Sequence, residues 1–315
     1  MNQHAPRQIL HAITLAMTLL SGAAFAQVDD IIRSAHLSSA YAAIINFSAE
    51  PDISSSHLWI DKGSPDETQM RITKFPLRHE FKLKNHKWKP MVQATLARLR
   101  LDLTLDMDPA NRIEPEWESY SATFGGGVRI PLSKHWSILP AIDGGYAHLK
   151  NEASYHGPDA IALQPLLEGK LFDWNADAWL VNGHLALFYN HQFGKLAVDA
   201  HLAGTVGHIE SYDTTHELQE FSETISTASI KIDCTYPLGL SIAADPLFVV
   251  GHLGNSTILT DLHADLGISS IYETGLSLQA DISRHGLPIK KIGLGAMVLW
   301  GEDAIGWALR TSYRF

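Results

Sequence analysis

The chain has 315 residues, with 24 basic and 34 acidic side chains giving a formal net charge of −10. That balance excludes nucleic acid as a partner and leaves no polybasic patch for anionic lipid head groups. One cysteine, Cys234, excludes an internal disulfide framework.

The N-terminus reads as an export signal. Arg7 precedes the apolar stretch "ILHAITLAMTLL", and "SGAAFA" ends in Ala24-Phe25-Ala26. The small-x-small spacing predicts cleavage after Ala26, so that residues 1–26 are a signal peptide for the Sec pathway. The apolar stretch falls short of the roughly 20 residues that a spanning helix requires. Residues 27–43 then form a leader: Asp29 and Asp30 stand where a helix start favours acids. The segment "RSAHLSSAYAA" is rich in small residues without period-two order, and predicts a short helix slim enough for a pore.

From residue 44 to 315 the pattern changes to alternation. Period-two spacing predicts about twelve strands, near 44–60, 68–83, 88–107, 119–132, 135–149, 178–191, 195–210, 220–238, 246–256, 269–283, 288–300 and 304–315. "LARLRLDLTLDMD" sets Leu99, Leu101, Leu103, Leu105 and Met107 on one parity, with Arg98, Arg100, Asp102 and Asp106 on the other. "YSATFGGGVRIPL" opposes Tyr120, Phe124 and Ile130 to Ser121, Thr123 and Arg129. In "IKIDCTY", Cys234 shares the apolar parity with Ile230, Ile232 and Tyr236, as a buried or lipid-facing thiol. Longer polar links alternate with tight turns such as "KNHK", "PLSK" and "QFGK", which is the rhythm of outer-membrane barrels. The longest link, 150–177, is expected to be a loop.

The chain closes on "AIGWALRTSYRF", with Ile305, Trp307, Leu309, Tyr313 and Phe315 on one parity. Exposed apolar ends invite edge pairing in a soluble sheet. In a closed barrel the last strand pairs with the first, and terminal aromatics join the interfacial girdle. The expected fold is therefore all-β, a transmembrane antiparallel barrel in the outer membrane of a Gram-negative bacterium. In it the leucines of the 96–108 stretch meet lipid. The lumen is expected to receive Arg98, Arg100, Asp102, Asp106, Arg129, His184, Asp199 and His201. An arginine turned to lipid costs about 2–4 kcal/mol near mid-membrane, which favours that orientation.

The strand pattern, the preceding short helix, "GGGVRIPLSKHWSILPAIDGGYAH" and the terminal "LRTSYRF" together resemble the translocator barrel of autotransporters. The likeness is strongest to the solitary autotransporter-like barrels, which lack a passenger. That resemblance implies a barrel whose pore holds a helix and supplies no substrate or reaction. Trp307, Tyr313 and Phe315 resemble the signal that outer-membrane proteins show the barrel-assembly machinery.

The sequence holds 17 histidines, most of them isolated. His184 and His201, with Asp199, fall on the polar parity of two strands joined by "QFGK" and would suit a transition metal if side by side. A lumenal polar network is the expected role instead. "GHLGNST" holds His252, Asn255 and Ser256, the residue types of a hydrolase, but four strand positions put about 13 Å between His252 and Ser256. Asp213 and His216 in "SYDTTHE" are the residue types of a rim protease and are expected to be a solvated loop. The reading is a non-enzymatic barrel with no cofactor and no metal, passive or plugged. The alternatives are an outer-membrane hydrolase and an adhesive role for 150–177.

Overall fold

A sheet that is apolar on one face and polar on the other leaves no edge in lipid only when it closes. The computed structural model describes residues 37–49, 55–60, 68–260, 269–286, 289–302 and 304–314. Its strands are β1 (Ser56–Ile60), β2 (Thr68–Glu80), β3 (Lys89–Asp102), β4 (Leu105–Asp108), β5 (Asn111–Pro131), β6 (Trp136–His156) and β7 (Trp174–Phe193). They continue with β8 (Leu196–Thr214), β9 (Ser222–Ile242), β10 (Asp245–Ile258), β11 (Ser270–Asp281), β12 (Lys291–Trp300) and β13 (Ala304–Arg314). Every strand pairing is antiparallel; successive strands pair, except that β3 and β4 both pair with β5, and β1 closes the ring against β13, from His57 opposite Trp307 to Ile60 opposite Ala304. Twelve strands make the wall, because β4 only continues β3 after an interruption at Leu103 and Thr104, both pairing with β5.

The expected alternation of long and short connections holds only in part. The β6–β7 link (157–173) is the longest described link, but the expected long link after β4 is the two-residue turn 109–110, because β5 starts at Asn111, inside that expected link. By contrast, β2–β3 spans 81–88 and β11–β12 spans 282–290. The links β2–β3, β5–β6, β7–β8, β9–β10 and β11–β12 lie at the end where β13 finishes. The opposite end carries the link from β6 to β7, which includes helix α2 (Pro158–Leu167). That link is shorter than the expected 150–177 loop, because β6 runs on to His156 and β7 begins at Trp174. The wall is uneven: β5 and β6 have 21 residues each, whereas β1 has 5 and β12 has 10. One side of the barrel therefore rises above the other at the long-link end.

Along this tall side the two faces exchange character without any change of phase. In β5, Ala122 and Phe124 point outward, while Ser121 and Thr123 are buried inward. Higher up, Glu114, Glu116 and Glu118 point outward, while Ile113 and Trp117 are buried inward. Tyr120, 41% exposed, marks the crossover and fits the interfacial aromatic level. The strand β3 does the same: Leu96 faces out at 56% exposure, whereas Leu99 and Leu101 are buried inside. The expected orientation of the 96–108 stretch is thus reversed. Leu99, Leu101 and Leu105 pack in the lumen, and Arg98, Arg100, Asp102 and Asp106 lie on the outer face above the lipid belt. Only the lower end of this stretch lies at the level of the apolar outer belt, so the cost of an arginine in lipid does not bear on Arg98 and Arg100.

What the inward leucines meet is α1 (Leu37–Ala49), whose residues Tyr41 to Ala49 are all buried. A helix buried on every side needs no polar stripe, which is why "AYAAIINFSA" shows none. The helix ends at Ala49, so residues 44–49, expected to open the first strand, are helical instead; residues 27–36 of the expected leader lie outside the described residues. The Tyr41 ring sits 5.1 Å from Trp117, 4.8 Å from Trp174 and 6.2 Å from Phe221, at the long-link end. Deeper, the Ser48 hydroxyl donates to Ser121 Oγ at 2.9 Å and lies 3.3 Å from Ser119 Oγ. The α2 residues Ala160, Leu163 and Leu167 complete the same apolar core. Gly157, at φ 91°, leads into α2 where any Cβ would strike the Ala110 carbonyl and Asn111.

Candidate functional site: the barrel lumen

Beneath the apolar core the inward parity turns polar, as the sequence pattern requires of a lumen. On β6, Asp143 is buried and accepts hydrogen bonds from three side chains on two strands, β3 and β7. Gln93 Nε2 donates to Oδ2 at 2.8 Å, Asn182 Nδ2 donates to Oδ1 at 2.8 Å, and His184 Nε2 lies 2.5 Å from Oδ2. The carboxylate fixes the tautomer, since Nε2–H is the donor to Asp143. His184 Nδ1 lies 2.9 Å from Thr205 Oγ1, within hydrogen-bond distance of that hydroxyl. Gln93 is held in turn by Arg78 Nη2, which donates to Oε1 at 3.2 Å.

A second chain of the same kind crosses β9, β10 and β11. His252 Nδ1 lies 2.6 Å from Asp233 Oδ1, and His252 Nε2 lies 2.8 Å from Ser277 Oγ. Asp233 also faces Arg310 Nη2 at 3.5 Å, and beside it Lys231 Nζ pairs with Glu273 at 3.3 Å. Carboxylate, imidazole and hydroxyl in this order have the connectivity of an acyl-transfer triad. Both His252 and Ser277 are buried, at 2% and 4% exposure. The same order recurs in Asp143–His184–Thr205, with the imidazole turned over and threonine in place of serine. Each chain stitches three consecutive strands through their lumenal side chains.

Below these chains the lumen opens into a cavity of about 300 Å³ toward the short-turn end. Its wall includes Arg129, Phe188, Asp199, His201, Lys291 and Arg310. Arg129 Nε pairs with Glu80 Oε1 at 2.7 Å, and its guanidinium lies 3.9 Å from the Phe188 ring centroid. Lys291 Nζ sits 4.2 Å from the Phe248 ring centroid.

Four of the eight expected pore residues face the lumen: Arg129, His184, Asp199 and His201. The structure does not bring His184 and His201 together, since His184 stands opposite Thr205 and His201 opposite Phe188. Four positions along β8 separate them, as alternate faces alone do not fix cross-strand register. Arg98, Arg100, Asp102 and Asp106 lie outside, in a mixed-charge collar where Arg98 pairs with Glu118 and Arg100 with Asp102 and Glu116. His252 and Ser256 stay apart, because the β10 register with β9 and β11 runs unbroken across Gly254. His216 Nδ1 accepts from Leu218 N at 3.2 Å and caps a short turn, and Asp213 pairs across to Asp177 in the sheet. Trp307 faces outward at 47% exposure beside His57. Tyr313 pairs with Ile292 through its backbone, while Phe315 and the cleavage site after Ala26 lie outside the described residues.

Sequence reasoning missed Asp143, Asp233 and Ser277 as partners of histidine. Their parity was legible, but their neighbours sit on other strands, 25 to 41 residues away in the case of Ser277 and Asp143.

A closed, twelve-strand antiparallel barrel with an apolar outer belt, a polar lumen and a buried helix defines a transmembrane β-barrel of the outer-membrane type. The chain belongs to the solitary outer membrane autotransporter beta-barrel domain family, whose model matches residues 61–314. Its fold is similar to the translocator domain of the autotransporter NalP from Neisseria meningitidis. That match has a TM-score of 0.53 and 10% identity, over 90% of this chain and 96% of that one. It is also similar to the β domain of the Bordetella autotransporter BrkA, with a TM-score of 0.51 and 9% identity over 82% of this chain and 95% of that one. No curated protein matches it by sequence.

Proposed function

We propose that this protein acts as a non-enzymatic outer-membrane barrel whose lumen is shut at rest. The observation that carries the reading is α1, buried from Tyr41 to Ala49 among inward side chains of β3, β5 and β9. Two closures stand in series along the lumen, the apolar plug around α1 and the polar chains centred on Asp143 and His252. In this reading the chain is exported by the Sec pathway with cleavage after Ala26. The barrel-assembly machinery then inserts it, guided by Trp307, Tyr313 and Phe315.

Planar-bilayer recording tests the closure. The intact protein is expected to stay nearly silent, and a variant lacking residues 27–49 is expected to conduct in small steps limited by the polar chains. Equal, large conductance of the two forms would end the plug reading. Orientation has its own test. In a Cys234→Ser background, a cysteine at position 40, partly exposed one residue before Tyr41, should react with an impermeant maleimide added at the long-link side. Reaction from the short-turn side alone would count against the helix direction given by Tyr41 and Ser48.

A further inference from the structure

We propose that His135 and His191 form a binding site for a tetragonal divalent metal ion, Cu²⁺ or Ni²⁺, at the short-turn rim of the barrel. His135 ends the tight turn between β5 and β6, and His191 lies near the end of β7, the next strand. Their Nδ1 atoms are 3.0 Å apart, with ring centroids 4.2 Å apart and planes crossed at 82°. A third donor, the Asn190 carbonyl oxygen, is 3.1 Å from His135 Nδ1. The His191 ring is held edge-on by Phe193, at 4.2 Å and 74°.

The separation selects the geometry. Metal–imidazole bonds are about 2.0–2.1 Å long, so two nitrogens at 3.0 Å subtend about 94° at a shared metal. A tetrahedral centre with the same bonds needs about 3.3 Å. A near-right-angle pair of nitrogens with a carbonyl oxygen alongside suits tetragonal Cu²⁺ or Ni²⁺ rather than structural zinc. Among the described residues no group of three or more His, Cys, Asp or Glu is arranged to hold a metal. Water therefore completes this coordination sphere, and both imidazoles are partly exposed to it.

Without metal, one Nδ1–H lies between the two rings as a hydrogen-bond donor. Metal binding moves that proton to Nε2 of the same ring, so both Nδ1 lone pairs become ligands with no net change in imidazole charge. Trp136 and Tyr189, 4.9 Å apart, flank the pair, which places it at the aromatic level of the rim rather than in the lumen. The proposal is independent of the closed-lumen reading.

The test is a Cu²⁺ titration of the folded, full-length barrel in detergent, followed by low-temperature electron paramagnetic resonance. The expected result is one tetragonal copper per chain with superhyperfine splitting from two nitrogens. His191→Gln and, separately, His135→Gln should each weaken binding by at least about ten-fold. His148→Gln, whose imidazole is held by Asp177 on the opposite rim, should leave it unchanged. Heat-modifiable mobility confirms folding of each variant, and His135 in its turn is the safer of the two to replace. A one-nitrogen spectrum, or unaltered affinity in a folded His135→Gln or His191→Gln protein, would overturn the site.

Discussion

Replacing Leu99 and its neighbour Arg98 separates two pictures of the same strand. Leu99 is fully buried within the core that surrounds α1. Truncating such a leucine to alanine removes its transfer energy and leaves a cavity, together worth about 2.7–5.0 kcal/mol. That is two to more than three decades in the folding equilibrium. The Arg98 side chain is 52% exposed, paired with Glu118 and lying 5.4 Å from the Tyr120 ring centroid. An exposed ion pair of this kind is worth about 0.2–1 kcal/mol. Urea titration of the barrel in lipid vesicles, read by heat-modifiable mobility, should therefore show Leu99→Ala far more damaging than Arg98→Ala. Cysteine labelling checks the geometry independently of stability. In a Cys234→Ser background, an impermeant maleimide should label position 98 rapidly from the long-link side and leave position 99 unlabelled. Labelling at 99 with protection at 98 would refute the inverted upper wall.

Other consequences are read from single residues. Asp143→Ala leaves the donors of Gln93, Asn182 and His184 without their buried acceptor, and should cost about 3–5 kcal/mol in the same titration, with Asp143→Asn costing less. Gly306→Val should block ring closure, because any Cβ there would overlap the His57 carbonyl and Leu58 at the β1–β13 seam; the overpacking costs at least about 1–3 kcal/mol and a lost folded band reports it. Ser277 should stay unmodified by a fluorophosphonate in the folded barrel; its labelling, checked by mass spectrometry, would restore the hydrolase reading. At the β4–β5 turn, hydrogen bonds from Asn111 and the Ala110 amide hold the Asp108 carboxyl below the ordinary value of 3.8. A lowered folded pKa adds stability above 3.8 that is lost as pH falls through the folded value. Asp108→Asn should then matter at pH 7 in urea titrations and cease to matter in strong acid.

The strand count, the closure and the phase of nearly every strand were legible in period-two alternation, whereas the link lengths were not: the strand β5 absorbs most of the expected long link 108–118. Phase tells which residues share a face, not which medium that face meets. In "LARLRLDLTLDMD" the greasy parity points outward only if its apolar surroundings are lipid. The structure supplies a second apolar surface, the α1 plug, and turns the leucines toward it. A clue was present: Leu96 shares its parity with Arg98, Arg100 and Asp102, so the outward face changes from apolar to charged within one strand. Such a change is what a strand leaving the bilayer must show. The lumenal partners of His184 and His252 were not legible, because register between strands is set by turn geometry and packing rather than by alternation.

The inverted upper wall also explains why so short a β1 suffices. Among the described residues four pairs join β1 to β13, a short ladder for a seam that must hold the ring shut. Leu58 and Ile60 of β1, however, are buried in the same core as Tyr41, Ile45, Leu99 and Leu299. The plug is therefore a structural clamp: it shares its apolar surface with both sides of the seam and with the tall wall opposite. Removing α1 would open the pore and loosen the seam together. On the proposed reading of a closed lumen, the helix and the seam then depend on one apolar core, in which Leu58, Leu99 and Leu299 are buried together with Tyr41 and Ile45.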